Sequence, residues 1–198
     1  MEDAAVSCFD RQVGERIKVG RRGRGWTLDD LAAASGVSRA MISRVERGES
    51  SATASLLARL AAALGVTLAS LFAETAPGGG PLLRAAEQPT WRDPATGYLR
   101  RAVSPGGTSS PVELVEVEFP PRATVRFEPW QPGRAADQHV WVLDGRIDVT
   151  VGETTHALGV GDCLHMSLGE PIAYHNPTRR LARYAVILAA AAAPNGRL

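Results

Sequence analysis

Arg39, Ala40, Ser43 and Arg44 fall at the three- and four-residue spacing that puts side chains on one face of a helix. That face would carry two long cationic donors with small residues between them. An arginine can give two parallel hydrogen bonds to a pair of acceptors such as O6 and N7 of guanine, and small neighbours let the helix backbone come close enough for it to reach. The chemistry is base recognition in the major groove of DNA. Arg47, near the end of the same stretch, and Thr27, at the start of the stretch before it, are better placed for phosphate oxygens. The plainer alternative is an ordinary amphipathic helix whose basic face is solvated.

The elements that must position these residues lie between Thr27 and Gly48, TLDDLAAASGVSRAMISRVERG. Thr27 is a good N-cap, and Asp30 sits three residues on, where its carboxylate reaches back to the cap. Trp26 and Leu31 occupy the two positions of a hydrophobic staple. Gly36 stops the first helix, and Ser38 caps the second, with Val37 and Ile42 as a second staple. Ile42 and Val45 share the inward face of the second helix. Gly48 closes it. Met41 fits either an exposed or a packed position.

Three runs, GERIKVGRR, TLDDLAAASGVSRAMISRVERGE and LLARLAAALGVTLASLF, together resemble the XRE-type helix-turn-helix domain, the phage repressor-like class of DNA-binding domains, over about residues 13–72. The resemblance implies five helices in order and a recognition helix that carries Ser38, Arg39, Ala40, Ser43 and Arg44. One departure is ESSAT at 49–53, where relatives often carry Asn-Pro-Ser. Ala52 replaces the proline, and Thr53 can still cap the next helix.

With 198 residues, 44% of them apolar and 22% charged, the chain has room for two small folded domains. Its net charge of +1 excludes a general polycation. From Arg11 to Arg59, however, ten Arg/Lys stand against five Asp/Glu, the localised excess that phosphate binding uses. Two cysteines, Cys8 and Cys163, expected in different domains, give no disulfide framework, and the acidic N-terminus lacks a signal-peptide pattern. With no run near the roughly 20 apolar residues that span a bilayer, a cytoplasmic location without membrane contact is expected.

In order along the chain, residues 1–10 read as disordered and 11–73 as the helical domain. Its first helix runs from about Arg11 to Arg22, with Arg16, Lys18, Arg21, Arg22 and Arg24 giving its end a cationic character. A fourth helix spans Thr53 to Leu64, and Leu68, Leu71 and Phe72 fit a short fifth. Residues 74–88, opening on ETAPGGGP, form a linker, because glycine and proline at that density hold neither helix nor strand. From 89 to 190 the period changes to two. Strands are predicted at 98–104, 112–119, 124–127, 139–143, 146–151, 154–158, 163–166, 172–176 and 183–188, with turn residues between them. Residues 191–198 read as a tail. The fold class is thus multidomain α + β: a five-helix domain followed by an antiparallel β-barrel or double-sheet jelly roll.

Within the second half, VWVLDGRIDVTVGE and LGVGDCLHMSLGEPIAYHNP resemble the two motifs of the cupin barrel. The resemblance implies a mononuclear metal site from two histidines and a glutamate in the first motif and a further histidine in the second. Here those positions fall on Pro132, Arg134, Gln138 and Ile172, so all four usual ligands are missing. No metal and no cofactor are expected. A relocated site would have to draw on His139, His165, His175 and Cys163, but strand alternation turns His139 and His175 away from the inward Gln138 and Ile172. The cavity candidates are Arg134, Gln138, Val140, Ile172 and Tyr174. An arginine and an amide in an apolar barrel would suit a small anionic or polar organic ligand, unless side chains fill the interior.

The function expected is a sequence-specific DNA-binding transcriptional regulator: a homodimer on a pseudo-palindromic operator, whose metal-free cupin domain binds a small-molecule effector, mediates dimerisation, or both. The same helical-plus-cupin arrangement occurs in an iron-dependent epoxidase, and a cupin metalloenzyme is the alternative that the missing ligands argue against. A pure dimerisation module is the other. The chain is expected not to be an enzyme.

Overall fold

The computed structural model describes residues 8–72, 80–108, 110–129 and 136–190. It divides into two compact units, one of residues up to Phe72 together with Asp93–Ala95, the other of the remaining chain. The expectations for 1–7, 74–79 and 191–198 lie outside the described residues, as do Pro132 and Arg134.

The first unit holds α1 (Cys8–Gly23), α2 (Leu28–Ser35), α3 (Arg39–Glu46) and α4 (Ala54–Ala63). Helix α1 begins at Cys8, so residues 8–10 are helical and not part of a disordered arm. Each later helix starts on the cap that its sequence supplies. Thr27 Oγ1 accepts from the Asp30 amide while the Asp30 carboxylate accepts from the Thr27 amide, and Ser38 and Thr53 accept from the Met41 and Leu56 amides. Gly36, at φ 64°, ends α2 in the left-handed region, and its amide donates to Ala32. Arg59 donates to the Ser35 carbonyl, one of the acceptors that a helix end leaves open. Val13, Ile17, Leu31, Val37, Ile42, Val45, Leu57, Leu60, Leu64, Leu71 and Phe72 are all buried and form the core. The expected fifth helix is a single 3-10 turn, Ala69–Leu71. Leu71 and Phe72 still close the core, and Arg16 donates to the Leu71 carbonyl, so one turn does the packing that a longer helix was expected to do. Asp93, buried and grouped with this unit, accepts from the Ala54 amide in the first turn of α4.

The second unit is antiparallel throughout. It contains a 3-10 turn at Ala85–Glu87 and ten strands: β1 (Thr90–Arg92), β2 (Leu99–Ala102), β3 (Val112–Phe119), β4 (Thr124–Phe127), β5 (Ala136–Asp144), β6 (Ile147–Val151), β7 (Thr154–Leu158), β8 (Cys163–Ser167), β9 (Ile172–His175) and β10 (Ala182–Ala190). They make a six-stranded sheet, β1-β2-β3-β10-β5-β8, and a four-stranded sheet, β4-β9-β6-β7. No ladder among the described residues joins the two, so the closed barrel is corrected to a double-sheet arrangement. Each sheet buries one face, in the period-two pattern that half-buried strands require. The buried rows include Val115, Val117 and Phe119 on β3, Gln138, Val140 and Val142 on β5, Ile172 and Tyr174 on β9, and Tyr184, Val186 and Leu188 on β10. Aromatic rings bridge the sheets. Tyr184 of the larger sheet stacks on Tyr174 of the smaller one at 5.7 Å and 3°. Phe119 and Phe127 extend the row with edge contacts at 6.0 Å on either side. Among the described residues no helix is long and apolar enough to cross a membrane.

Candidate functional site

Helix α3 sits on the helical unit with one face buried and the other open. Ile42 and Val45 are 0% and 2% exposed, whereas Arg39, Ala40 and Arg44 are exposed and Ser43 is half-buried beside them. The four predicted base-reading residues therefore share one solvent-facing surface. Arg44 makes no side-chain hydrogen bond or ion pair among the described residues, so its guanidinium fork is free to meet a partner. Arg39 lies 3.5 Å from Asp29, both exposed, a pairing that water screens. Ser38 is taken up by its capping role.

Two predicted phosphate contacts have partners already. Arg47 gives two hydrogen bonds of 2.6 Å to the Glu49 carboxylate and a third to Ser43 Oγ. That bidentate bond, with Arg44 nearby, holds the Glu49 carboxyl below the usual range. Thr27 Oγ1 accepts from the Asp30 amide and gives its proton to the Asp30 carboxylate, which lies 2.8 Å from the Thr27 amide. These bonds keep the Asp30 carboxyl low. A phosphate at either place has to displace a carboxylate.

Helix α3 is tied to α1 by a group that the charge pattern did not single out. Arg21, read as one of the residues that make the end of α1 cationic, points inward. Its Nε and Nη2 donate to the two oxygens of Glu46 at 2.6 and 2.7 Å, and Nη1 donates to the Trp26 carbonyl at 2.8 Å. Both side chains are buried. Arginine can satisfy a buried carboxylate in this way because its planar fork matches both oxygens. The spacing of 25 residues hides the pair from any local reading.

In the second unit, Gln138, Val140, Ile172 and Tyr174 all face the space between the sheets and are buried. Gln138 Nε2 donates to Tyr174 Oη at 2.5 Å and points to Met166 Sδ at 3.9 Å. Burial pushes the Tyr174 hydroxyl well above the ordinary tyrosine value, and the same cause acts on Tyr184. Both stay neutral donors at any physiological pH. A further polar residue, the half-buried Arg100 on β2, was not among the predicted cavity residues; the signal for it is its place two residues from the buried Tyr98 on one strand face.

The relocated-metal candidates do not converge. His139 and His165 sit side by side on the outer face of the larger sheet, ring centroids 4.9 Å apart, with Asp137 3.4 Å from His165. Cys163, free and exposed, is opposite Trp141 in the β5–β8 register. His175 belongs to the other sheet, where its Nδ1 meets Thr124 Oγ1 at 2.9 Å. Among the described residues no three histidine, cysteine or acidic side chains gather in a way that could hold a metal ion.

Comparison with known proteins bears on the helical surface first. The HTH_3 helix-turn-helix family matches residues 17–71. Over 166 residues the chain is 27% identical to the HTH-type transcriptional regulator SutR of Escherichia coli (strain K12), covering 84% of this chain and 88% of that protein. The crystal structure of an HTH_3 family transcriptional regulator from Vibrio cholerae aligns with a TM-score of 0.76 at 27% identity, over 91% of this chain and 96% of that one. Hydroxypropylphosphonic acid epoxidase from S. wedmorenis aligns over 91% of this chain and 97% of that one, at 18% identity and a TM-score of 0.46, too slight a likeness to carry an argument about activity. Residues 17–71 thus match the HTH_3 helix-turn-helix family, and over most of its length the chain is similar to HTH-type transcriptional regulators.

Proposed function

We propose that the chain is a sequence-specific DNA-binding regulator in which α3 enters the major groove and Arg44 reads a base edge. The observation that carries this is the open face of α3, where an unpartnered guanidinium stands among Arg39, Ala40 and Ser43 while the opposite face is pinned by Ile42, Val45 and Glu46. A reader held on a rigid support loses little entropy on binding. The second, cupin-like unit takes a small-molecule effector, and the working form is a cytoplasmic homodimer that binds half-sites about 34 Å apart, one helical turn. Effector binding shifts operator affinity by linkage. No catalytic role is assigned to the second unit, since Gln138 and Ile172 stand at two of the positions where the resembling family keeps metal ligands.

Selecting an operator from random duplexes, then comparing wild type with Arg44→Ala on it, tests the reading. Arg44→Ala should lose about 1–3 kcal/mol at one base pair and relax specificity there, because a bidentate base contact is worth that much. Unchanged preference at every position would remove Arg44 from the reading surface.

Glu49 sets a second expectation. It holds Arg47 with both oxygens on the same side of the domain as Arg44. Glu49→Gln releases that guanidinium to phosphate and removes a negative charge from the DNA-facing side. Affinity should rise for operator and random DNA alike, with the salt dependence steeper by about one counterion. Titrations at several salt concentrations measure it; an unchanged slope would place Arg47 and Glu49 away from the DNA.

A further inference from the structure

The inner face of the larger sheet carries a half-buried cation that has no counter-charge among the described residues. Arg100 lies opposite Val117 in the β2–β3 register, and Val117 lies opposite Tyr184 on β10. Val117 and Tyr184 are buried on the inner face, so alternation puts the Arg100 side chain there too. Its neighbour Arg101 turns outward toward Glu116, at 3.9 Å. Arg100 Nε is shut off from solvent and has no hydrogen-bond partner. Among the described residues no carboxylate pairs with its guanidinium. The residue as a whole is half-buried, so the guanidinium keeps some access to solvent while its Nε is left unsatisfied, a cost that a bound acceptor would remove.

The surroundings fit an anion. The Arg100 charge reaches both the Tyr174 and the Tyr184 hydroxyls and opposes the effect of burial on each. Those two rings are stacked, and Gln138 donates to Tyr174 while its carbonyl oxygen is left to accept. One end of the space thus offers a planar fork of N–H donors, and the rest offers an aromatic wall, neutral hydroxyls and an amide acceptor. A guanidinium edge matches the two oxygens of a carboxylate.

We propose that Arg100 is the anion-binding residue of an interior site in the second unit, and that the site takes the carboxylate of a small organic acid, with Gln138 and the Tyr174–Tyr184 pair around it. This rests on the effector reading above and gives it a ligand class. The residue lies on β2, outside both motifs in which the metal ligands of the resembling family are found.

Thermal unfolding of the full chain tests it, with sodium acetate as the probe against sodium fluoride at equal ionic strength. Without acetate, Arg100→Met should unfold no lower than wild type, because a buried N–H without a partner has been replaced by an apolar chain of similar length. Acetate should raise the wild-type midpoint saturably, as a ligand of the native state does. It should leave Arg100→Met unmoved and act on Arg100→Lys only at higher concentration. A fall in the midpoint of Arg100→Met without acetate, no acetate effect on wild type, or an equal rise in wild type and Arg100→Met would each overturn the assignment. The same samples titrated with the selected operator separate the two ideas. A saturable midpoint shift with unchanged operator affinity keeps the anion site and defeats the effector reading.

Discussion

Glu46→Ala is expected to destabilise the helical unit by about 3–5 kcal/mol, the loss that follows when one partner of a buried ion pair is removed. In the intact protein both oxygens of Glu46 take hydrogen bonds from Arg21, and the Trp26 carbonyl takes a third. Alanine leaves the guanidinium buried with only that third bond. Small domains have in total about 5–15 kcal/mol of stability, so the loss is a large share of what holds α1 against α3. Far-UV circular dichroism in urea reads it, because the helices belong to the first unit. A loss under about 1 kcal/mol, the range of exposed pairs, would mean that the pair is solvated in solution. The double variant Arg21→Met, Glu46→Leu should recover most of the stability, since a buried pair is often matched by well-packed apolar residues. Its operator affinity then tells whether the ion pair also sets the angle of α3.

The helical unit was largely legible because its signals are local. Thr27 with Asp30, Gly36, Ser38 and Thr53 each act within four residues, and each does in the structure what its position implies. The strands 112–119, 124–127 and 154–158 match their predicted limits, since alternation is also a local property. What failed was non-local. Whether sheet edges meet to close a barrel depends on pairings between distant segments, and here β1, β8, β4 and β7 remain edges of two separate sheets. Strand β1 was missed because three residues, Thr90 to Arg92, are too few to show a period.

Charge was the least legible of all. Arg21 and Arg22 are neighbours on α1, and Arg100 and Arg101 are neighbours on β2. In each pair one side chain turns into the protein and the other turns out. Composition counts all four as surface cations. Only the direction of each side chain reveals one buried ion pair and, among the described residues, one half-buried cation lacking a partner, and that direction is decided by residues 17 and 25 positions away, Val117 on β3 for Arg100 and Glu46 on α3 for Arg21.

Gly14→Ala and Gly20→Ala should act with opposite signs, although both are glycine-to-alanine changes inside α1. In an open helix interior the change is stabilising by up to about 1 kcal/mol, because alanine is the better helix former. At Gly20 a Cβ would meet only the Leu64 side chain, at 3.4 to 4.0 Å, which is ordinary contact, so the propensity gain stands. At Gly14 a Cβ would lie 3.1 Å from the Val45 carbonyl carbon and 3.3 Å from that of Glu46, with the Val45 oxygen nearer still. These are backbone atoms of α3, and no rotamer change removes them. The helices have to separate, which opens the core around Val13 and Ile17 and stretches the Arg21–Glu46 bonds. Overpacking of this kind costs about 1–3 kcal/mol and more when backbone must shift, enough to reverse the propensity gain. Because both changes strain the same α1–α3 contact, Gly14→Ala combined with Glu46→Ala should cost less than the sum of the two alone, the coupling expected of neighbours that share partners. Urea titrations of the four proteins measure that coupling directly. Full additivity would show that the close approach at Gly14 and the ion pair at Arg21 hold α3 independently.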